Sequence, residues 1–172
     1  MRVASLILAG ACFAGVLSAG TITTTDTFVS GNTYHEVFTF QGFTLSMGML
    51  IEIHYPASQY GSLSNGVAQP SSDWSLVLLQ PNNPLGADGI YSMQANVNNP
   101  SFAGPFSVDF TFLGAGQPNG VHQYFVLNSD FSVNSSGFTG VPEPTSLSMA
   151  GVGGLLLSFL VFLYGLRRRA SN

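Results

Sequence analysis

Residues 43–55, FTLSMGMLIEIHY, alternate apolar and polar side chains almost without a break. A β-strand sends successive side chains to opposite faces, so this alternation predicts a long strand with one buried side. That side is formed by Phe43, Leu45, Met47, Met49, Ile51, Ile53 and Tyr55. Gly48 interrupts the run and predicts a bulge or a bend between sheets.

Further segments show the same period or short apolar runs between turn residues. They are residues 33–40, 74–80, 89–97, 105–114, 121–128 and 131–138. The segment 74–80 is apolar on both faces, which predicts a central strand with Trp74 in the core. No amphipathic helix pattern separates these segments. We therefore predict an all-β fold, a single β-sandwich ectodomain at 21–140, with a mobile polar loop at 56–73.

Charge is distributed very unevenly along the chain. The only permanent cations are Arg2, Arg167, Arg168 and Arg169, while residues 21–140 carry seven carboxylates and no Lys or Arg. Such a domain has nothing to place against phosphates, so nucleic acid is excluded as a partner. Its fold must depend on burial and hydrogen bonding, because no Lys or Arg salt bridge can form there.

Catalytic and metal-binding signatures are weak. The stretch GSLSNG has Leu63 where a nucleophile elbow needs serine. Glu52 and His54 share a strand face and could bind a metal with His122 or Asp109, but no ligand pair has zinc-site spacing. An ordinary solvent-facing Glu and His is the preferred interpretation.

Three aspartates, Asp73, Asp88 and Asp130, lie near turns, where capping is a better explanation than calcium binding. A glycosidase would need two carboxylates that face each other, and the sequence does not show which of the seven do so. We predict no catalytic residue, no metal site and no cofactor, and hence a protein that is not an enzyme.

Sheet edges in natural proteins are commonly protected by lysine, which this chain lacks. We therefore expect the domain to associate with itself or with a matrix polymer through Ser, Thr, Asn and Gly surfaces.

The N-terminus has the layout of a secretory signal peptide, predicted at residues 1–20: a basic start, an apolar run and small residues. Cleavage after Gly20 places Ser18 and Gly20 at the two positions that need small residues. Cleavage after Ala19 places Leu17 at one of them. An uncleaved signal anchor and a lipoprotein modified at Cys12 are the alternatives. Cleavage would remove Cys12 and leave the mature protein without a thiol.

The C-terminus contains an uncharged segment, residues 147–166, long enough for a helix to span a bilayer core. Arg167, Arg168 and Arg169 follow at once and predict that this end stays in the cytoplasm, with the bulk of the chain outside. A permanent single-pass anchor is one alternative, and a buried helix of a soluble domain is another.

Pro142, Glu143 and Pro144 precede this segment, and two prolines two residues apart predict a stiff extended stretch. The motif, the apolar span and the arginine cluster together resemble a PEP-CTERM sorting signal of Gram-negative bacteria. The resemblance covers residues 141–169 only. It implies recognition of Pro142–Pro144 by an exosortase, a membrane transpeptidase, removal of the tail, and release or attachment at the cell surface. The arginines would hold the tail until it is cut.

These observations predict an exported protein, first in the inner membrane with its ectodomain outside the cytoplasm, then at the cell surface or extracellular. The expected role is structural or adhesive in a polysaccharide-rich envelope or biofilm. The alternatives are a small secreted carbohydrate-active enzyme and a permanently anchored membrane protein. Two facing carboxylates in a cleft would favour the enzyme, and a flat polar face would favour the matrix role.

Overall fold

The computed structural model describes residues 20–140, which contain nine β-strands and no helix. In chain order, the strands are β1 Thr21–Ser30, β2 Thr33–Gln41, β3 Leu50–Tyr55, β4 Tyr60–Ala68, β5 Trp74–Leu79, β6 Gly89–Ala95, β7 Phe106–Phe112, β8 Gln123–Leu127 and β9 Val133–Phe138. The predicted signal peptide up to residue 19 and the predicted sorting signal at 141–169 lie outside the described residues.

The strands form two antiparallel sheets. The first has the order β1-β2-β7-β4, and the second has the order β5-β6-β3-β8-β9. β1 and β2 are joined by a tight turn at Gly31, whose φ of 56° suits glycine. β7 and β8 belong to different sheets, so residues 113–122 cross from one sheet to the other. The predicted all-β class is confirmed.

One core lies between the inner faces of the two sheets. The rings of Phe38 on β2 and Tyr91 on β6 are 5.0 Å apart, and those of Tyr55 on β3 and Phe110 on β7 are 5.9 Å apart. These residues belong to the same buried cluster. Each pair joins one sheet to the other, which gives the domain a sandwich-like, two-layer arrangement.

Aromatic rings fill one end of this core, here called the aromatic end: Phe40, Phe43, Trp74, Phe102 and Phe106. Phe40 and Phe106 have ring centroids 5.0 Å apart, and Trp74 and Phe102 have centroids 4.9 Å apart. The Trp74 side chain is only 3% exposed, and its indole N–H donates to the Ser101 carbonyl at 2.8 Å. The predicted core role of Trp74 is confirmed.

The predicted strand at 43–55 is wrong in its first half, because β3 begins only at Leu50. Met49 N–H donates to the Ser46 carbonyl, and Gly48 has a φ of 89°, so a turn replaces the extended chain. Met47 is consequently 63% exposed instead of buried. The bend predicted at Gly48 is present, and it breaks the alternation that the sequence pattern suggested.

The prediction of a loop at 56–73 is also wrong, since half of this segment forms β4 beside β7. β4 was not recognised because its register shifts between Tyr60 and Ser62 and again between Ser64 and Val67. Such bulges destroy the two-residue period on which strand prediction depends. Tyr60 and Leu63 are nevertheless buried in the core.

β5 is an edge strand, which corrects the central position predicted for 74–80. The outward side chains Val77 and Leu79 are apolar but face solvent, and Val77 is 55% exposed. Apolar residues on both faces therefore did not mean burial on both faces.

Candidate functional site

The sorting residues predicted from sequence, Pro142, Glu143 and Pro144, lie outside the described residues, as do Arg167, Arg168 and Arg169. Their role stays a prediction.

Glu52 and His54 lie close together, and Asp88 joins them. His54 Nε2 is 3.8 Å from Glu52 Oε2, and His54 Nδ1 is 3.6 Å from Asp88 Oδ2. Asp109 is elsewhere, bonded to His35 Nδ1 at 2.6 Å, and His122 is buried in the core. Over residues 20–140, no group of three or more His, Cys, Asp or Glu side chains has an arrangement that could hold a metal ion.

Two of the turn aspartates accept hydrogen bonds from nearby donors, and one of them caps its own turn. Asp73 accepts hydrogen bonds from the Ser101 backbone N–H at 2.9 Å and the Ser72 hydroxyl at 2.8 Å, which lower its pKa. Asp130 accepts bonds from the Ser132 hydroxyl at 2.6 Å and the Ser132 N–H at 3.0 Å, and its pKa is lowered likewise. The capping prediction is confirmed for Asp130, whose partner lies two residues ahead in the same turn. Asp73 instead joins two loops that are 28 residues apart in the chain.

The most unusual feature of the interior is a polar cluster formed by Asp26, Glu36, Tyr55, Tyr60 and His122. Asp26 on β1 stands directly opposite Glu36 on β2 in the antiparallel register. Directly opposed side chains lie about 5 Å apart at their Cβ atoms, where like charges repel each other. The sequence could not pair its carboxylates, and the structure pairs these two.

Glu36 is completely buried and is held by two partners. Its Oε2 accepts a 2.6 Å hydrogen bond from the Tyr55 hydroxyl. Its Oε1 lies 3.1 Å from His122 Nε2, without the alignment of a good hydrogen bond. Burial raises the pKa of Tyr55 well above its usual value and the Glu36 carboxylate raises it further, so Tyr55 stays protonated as the donor.

His122 is fixed by a clasp between the end of β9 and the crossing loop. The His122 N–H donates to Thr139 Oγ1 at 2.8 Å, and the Thr139 hydroxyl donates to the Gly120 carbonyl at 2.8 Å. Thr24 on β1 donates to the same carbonyl at 2.7 Å. The ring of Tyr55 is 4.3 Å from the His122 ring, between centroids. The crossing loop is therefore attached to both β1 and β9.

A cavity of about 250 Å³ opens beside this cluster, between β1, β2 and the crossing loop. Its walls include Thr24, Asp26, Phe28, Tyr34, Asn119 and Gly120. Phe28 and Tyr34 meet edge to face with ring centroids 5.7 Å apart. Glu36 does not line the cavity, so Asp26 is the member of the opposed carboxylate pair that a bound molecule can reach.

Asp26 differs from an ordinary surface carboxylate in its burial and in its pKa. Its Oδ1 is buried and has no hydrogen-bond partner. The pKa of Asp26 is raised from 3.8 to about 6, mainly by burial and next by the Glu36 charge, while His122 acts to lower it. One reachable carboxylate beside two aromatic rings suits ligand binding. Double-carboxylate hydrolysis needs both groups at the substrate.

Sequence reasoning missed Asp26 and Glu36 as a site. A signal was present, because Ile22, Thr24, Asp26 and Phe28 alternate along TITTTDTF. Read with period two, this stretch places Asp26 on the face shared with Ile22, which is fully buried. The many threonines hid this pattern, because only two of the alternating residues are large and apolar.

Within residues 20–140 there is no helix with the length and apolar character needed to cross a bilayer. No protein-family model, no curated protein and no solved structure matches this chain.

Proposed function

We propose that this is an exported cell-surface or matrix protein, sorted and processed through its C-terminal signal, with a structural or adhesive role in a polysaccharide-rich envelope or biofilm. The observation that carries the proposal is the absence of any Lys or Arg from residues 20–140. A domain whose only permanent charges are carboxylates cannot attract an anionic polymer through charge, so its contacts with a polysaccharide are made by hydrogen bonds.

The outward side chains of the edge strands fit this role. On β1 and β9 they include Thr25, Thr27, Asn134 and Ser136, all exposed. Hydroxyl and amide groups donate and accept hydrogen bonds, as the hydroxyls of a polysaccharide do. These strands thus offer a neutral polar surface to a matrix polymer.

β9 also supports self-association. It is the outermost strand of its sheet, it contains no Lys or Pro, and it exposes Val133 and Phe138. An open strand edge with apolar side chains is a template for pairing with another chain. Association with a second copy would thicken a matrix without requiring a dedicated ligand.

The termini would supply the route to the surface. The signal peptide directs export, residues 147–166 hold the chain in the membrane, and an exosortase recognises Pro142, Glu143 and Pro144. Tyr124 donates a 2.7 Å hydrogen bond to the Gly20 carbonyl, which favours cleavage after Ala19, since Gly20 then stays with the domain.

The sorting proposal is tested by replacing Pro142, Glu143 and Pro144 with alanine in the native host. We expect the variant to stay in the membrane fraction with its tail, while the wild-type protein loses the mass of the tail. Alanine at Thr145 and Ser146 is the matched control and should leave processing intact. Unchanged location and mass in the motif variant would overturn the sorting proposal, and a wild-type protein that keeps its tail would indicate a permanent anchor.

A secreted carbohydrate-active enzyme is the second candidate, because Asp26 faces Glu36 beside a cavity. Against it, Glu36 is fully enclosed and already bonded to Tyr55. Release of reducing sugar from the host's own polysaccharide, abolished in both Asp26→Asn and Glu36→Gln, would favour the enzyme over the adhesive protein.

A further inference from the structure

The cavity beside the polar cluster is lined by the Asp26 carboxylate, whose two oxygens have different surroundings. Asp26 Oδ1 is buried without a hydrogen-bond partner, and a buried carboxylate oxygen left in this way is costly. Residues 20–140 hold no Lys or Arg that could reach it. Oδ1 is enclosed and cannot be reached from the cavity. Oδ2 lies on the side of Gly120, 3.5 Å from the position that a Cβ of this residue would take, so a cation from outside the domain would meet Oδ2.

The charges around Asp26 favour a cation. Glu36 faces it from β2, and His122 faces it from the crossing loop, while the Tyr55 and Tyr60 hydroxyls belong to β3 and β4. His122 and Tyr55 already contact Glu36, at 3.1 Å and 2.6 Å. These two groups contact Glu36, so Asp26 is the member of the carboxylate pair that is left for a cation from outside.

We propose that this cavity binds a primary ammonium group, with the Asp26 carboxylate as its acceptor and the rings of Phe28 and Tyr34 beside it.

An ammonium fits better than a neutral hydroxyl for three reasons. A charge-assisted hydrogen bond is roughly twice as strong as a neutral one. A cation also relieves the repulsion between Asp26 and Glu36, which a hydroxyl cannot do. Aromatic rings attract a nearby cation through their electron-rich faces, and Phe28 and Tyr34 line the same cavity.

The size of the cavity and its remaining wall limit the ligand. A volume of about 250 Å³ lies below the usual range for drug-sized ligands and suits one sugar ring or one side chain. Asn119 Oδ1 accepts a bond from the Val121 N–H at 3.1 Å, which leaves the Asn119 amide NH₂ as a donor at the wall. An amino sugar offers both an ammonium and a hydroxyl. This choice of natural source rests on the proposed matrix role, whereas the ammonium chemistry does not.

The test is calorimetric titration of the full-length chain, purified in detergent, with D-glucosamine at pH 7. N-acetyl-D-glucosamine is the matched neutral ligand, with the same ring and no charge. We expect it to bind at least about tenfold more weakly, the loss of one charge-assisted contact. Equal binding of the two sugars would overturn the proposal.

The variant Asp26→Asn keeps the shape of the side chain and removes its charge. We expect at least about tenfold weaker binding of glucosamine, while Asp88→Asn, the same charge change elsewhere, leaves binding unaltered. Retained affinity in Asp26→Asn would overturn the proposal. Thermal unfolding of both variants shows whether the domain is folded.

Acid should weaken binding in the same way. With a pKa of about 6, Asp26 is mostly ionised at pH 7 and mostly protonated at pH 5. The apparent affinity then falls about tenfold, because only the ionised fraction binds. Asp26→Asn should show no such change. Affinity that is constant from pH 7 to pH 5 would count against the ammonium site.

Two further ligands identify the source of the cation. Nα-acetyl-lysine amide carries its ammonium on a side chain, so binding as tight as that of glucosamine supports the site but assigns it to protein amines. Calcium chloride that displaces glucosamine at equal concentration would overturn the proposal in favour of a metal ion. If glucosamine does not bind but the protein is sorted as proposed, only this inference is overturned. If glucosamine binds but replacement of Pro142–Pro144 leaves sorting unchanged, only the proposed function is overturned.

Discussion

The same two sheets enclose both ends of the core, but one end contains aromatic rings and the other contains buried polar groups. At the aromatic end, Trp74, Phe102 and Phe106 fill the space with closely spaced rings. At the other end, Glu36 and His122 are equally well buried but bring charge and hydrogen-bonding groups into the interior. Burial of polar groups is costly unless each is partnered, and here some atoms are not. The aromatic end therefore stabilises the fold. The polar cluster lowers the stability of the fold, and it lies next to the cavity.

The largest effect should come from the aromatic end. Phe106→Ala removes a ring that is 1% exposed, and we expect it to lower the free energy of unfolding by about 3–5 kcal/mol. Urea denaturation measures this. Phe138→Ala, at a ring that is 69% exposed, is the control and should change stability by less than about 0.5 kcal/mol. Similar losses at both positions would mean that the aromatic end does not dominate stability.

The polar cluster should respond through its hydrogen bonds. Tyr55→Phe removes the donor to Glu36 Oε2 and leaves a buried carboxylate oxygen unpaired. We expect a loss of about 1–3 kcal/mol, the usual penalty for an orphaned buried group. Tyr124→Phe, which loses a bond to the Gly20 carbonyl at a less buried site, should cost less. If the two variants lose the same stability, burial of the partner does not set the cost.

Asp26→Asn should stabilise the domain, in contrast to the two preceding changes. Asp26 has a pKa of about 6 when folded against 3.8 when unfolded, so the native state holds the proton more tightly. Its contribution is fully present below about pH 4 and is lost as the pH rises through 6. At pH 7 we expect Asp26→Asn to gain about 1 kcal/mol, after allowance for the partial exposure of the side chain.

The measurement is the difference in thermal unfolding between the wild-type protein and Asp26→Asn at pH 4 and pH 7. The difference should grow with pH, which separates Asp26 from Asp73 and Asp130, whose lowered pKa values favour folding at higher pH. A constant difference would show that the ionised form of Asp26 is not disfavoured by folding.

The smallest expected effect concerns the coupling within the carboxylate pair. Glu36→Gln removes one charge beside Asp26, so the pKa of Asp26 should fall but stay above 3.8, because burial is the larger cause of its rise. Titration of the Asp26 carboxyl carbon by nuclear magnetic resonance measures this. Glu52→Gln, on a strand of the other sheet, should leave the pKa unchanged. An unaltered pKa of Asp26 in Glu36→Gln would contradict the proposed electrostatic interaction between the two residues.

The sequence predicted what local periodicity determines. Strands near 33–40 and 105–114 were found because Phe38, Phe40, Phe106 and Phe110 alternate with polar residues and are buried. β1 and β4 were missed, since threonine replaces the apolar residues in the first and bulges break the period of the second.

The candidate site could not be predicted in the same way. Its central feature, Asp26 opposite Glu36, depends on the register of two strands, and composition does not fix that register. His122 joins the cluster from the end of the crossing loop, far along the chain from Asp26 and Glu36. Such long-range pairings follow from the tertiary fold, whereas turn caps such as Asp130 with Ser132 are local and were predictable.

The clasp at Thr139 has a mechanical consequence. Thr139 lies three residues before Pro142, and its hydroxyl and amide groups are bonded to Gly120 and His122. Force applied at the C-terminal end of the described residues acts first on Gly140, whose N–H donates to the Ile22 carbonyl at 3.2 Å. It acts next on Thr139, which is bonded to the loop that lines the cavity. Under the proposed function, a domain that still carries its membrane tail and a domain released from it would differ in the load on this loop. Cleavage of the tail would then alter the wall of the cavity as well as the location of the protein.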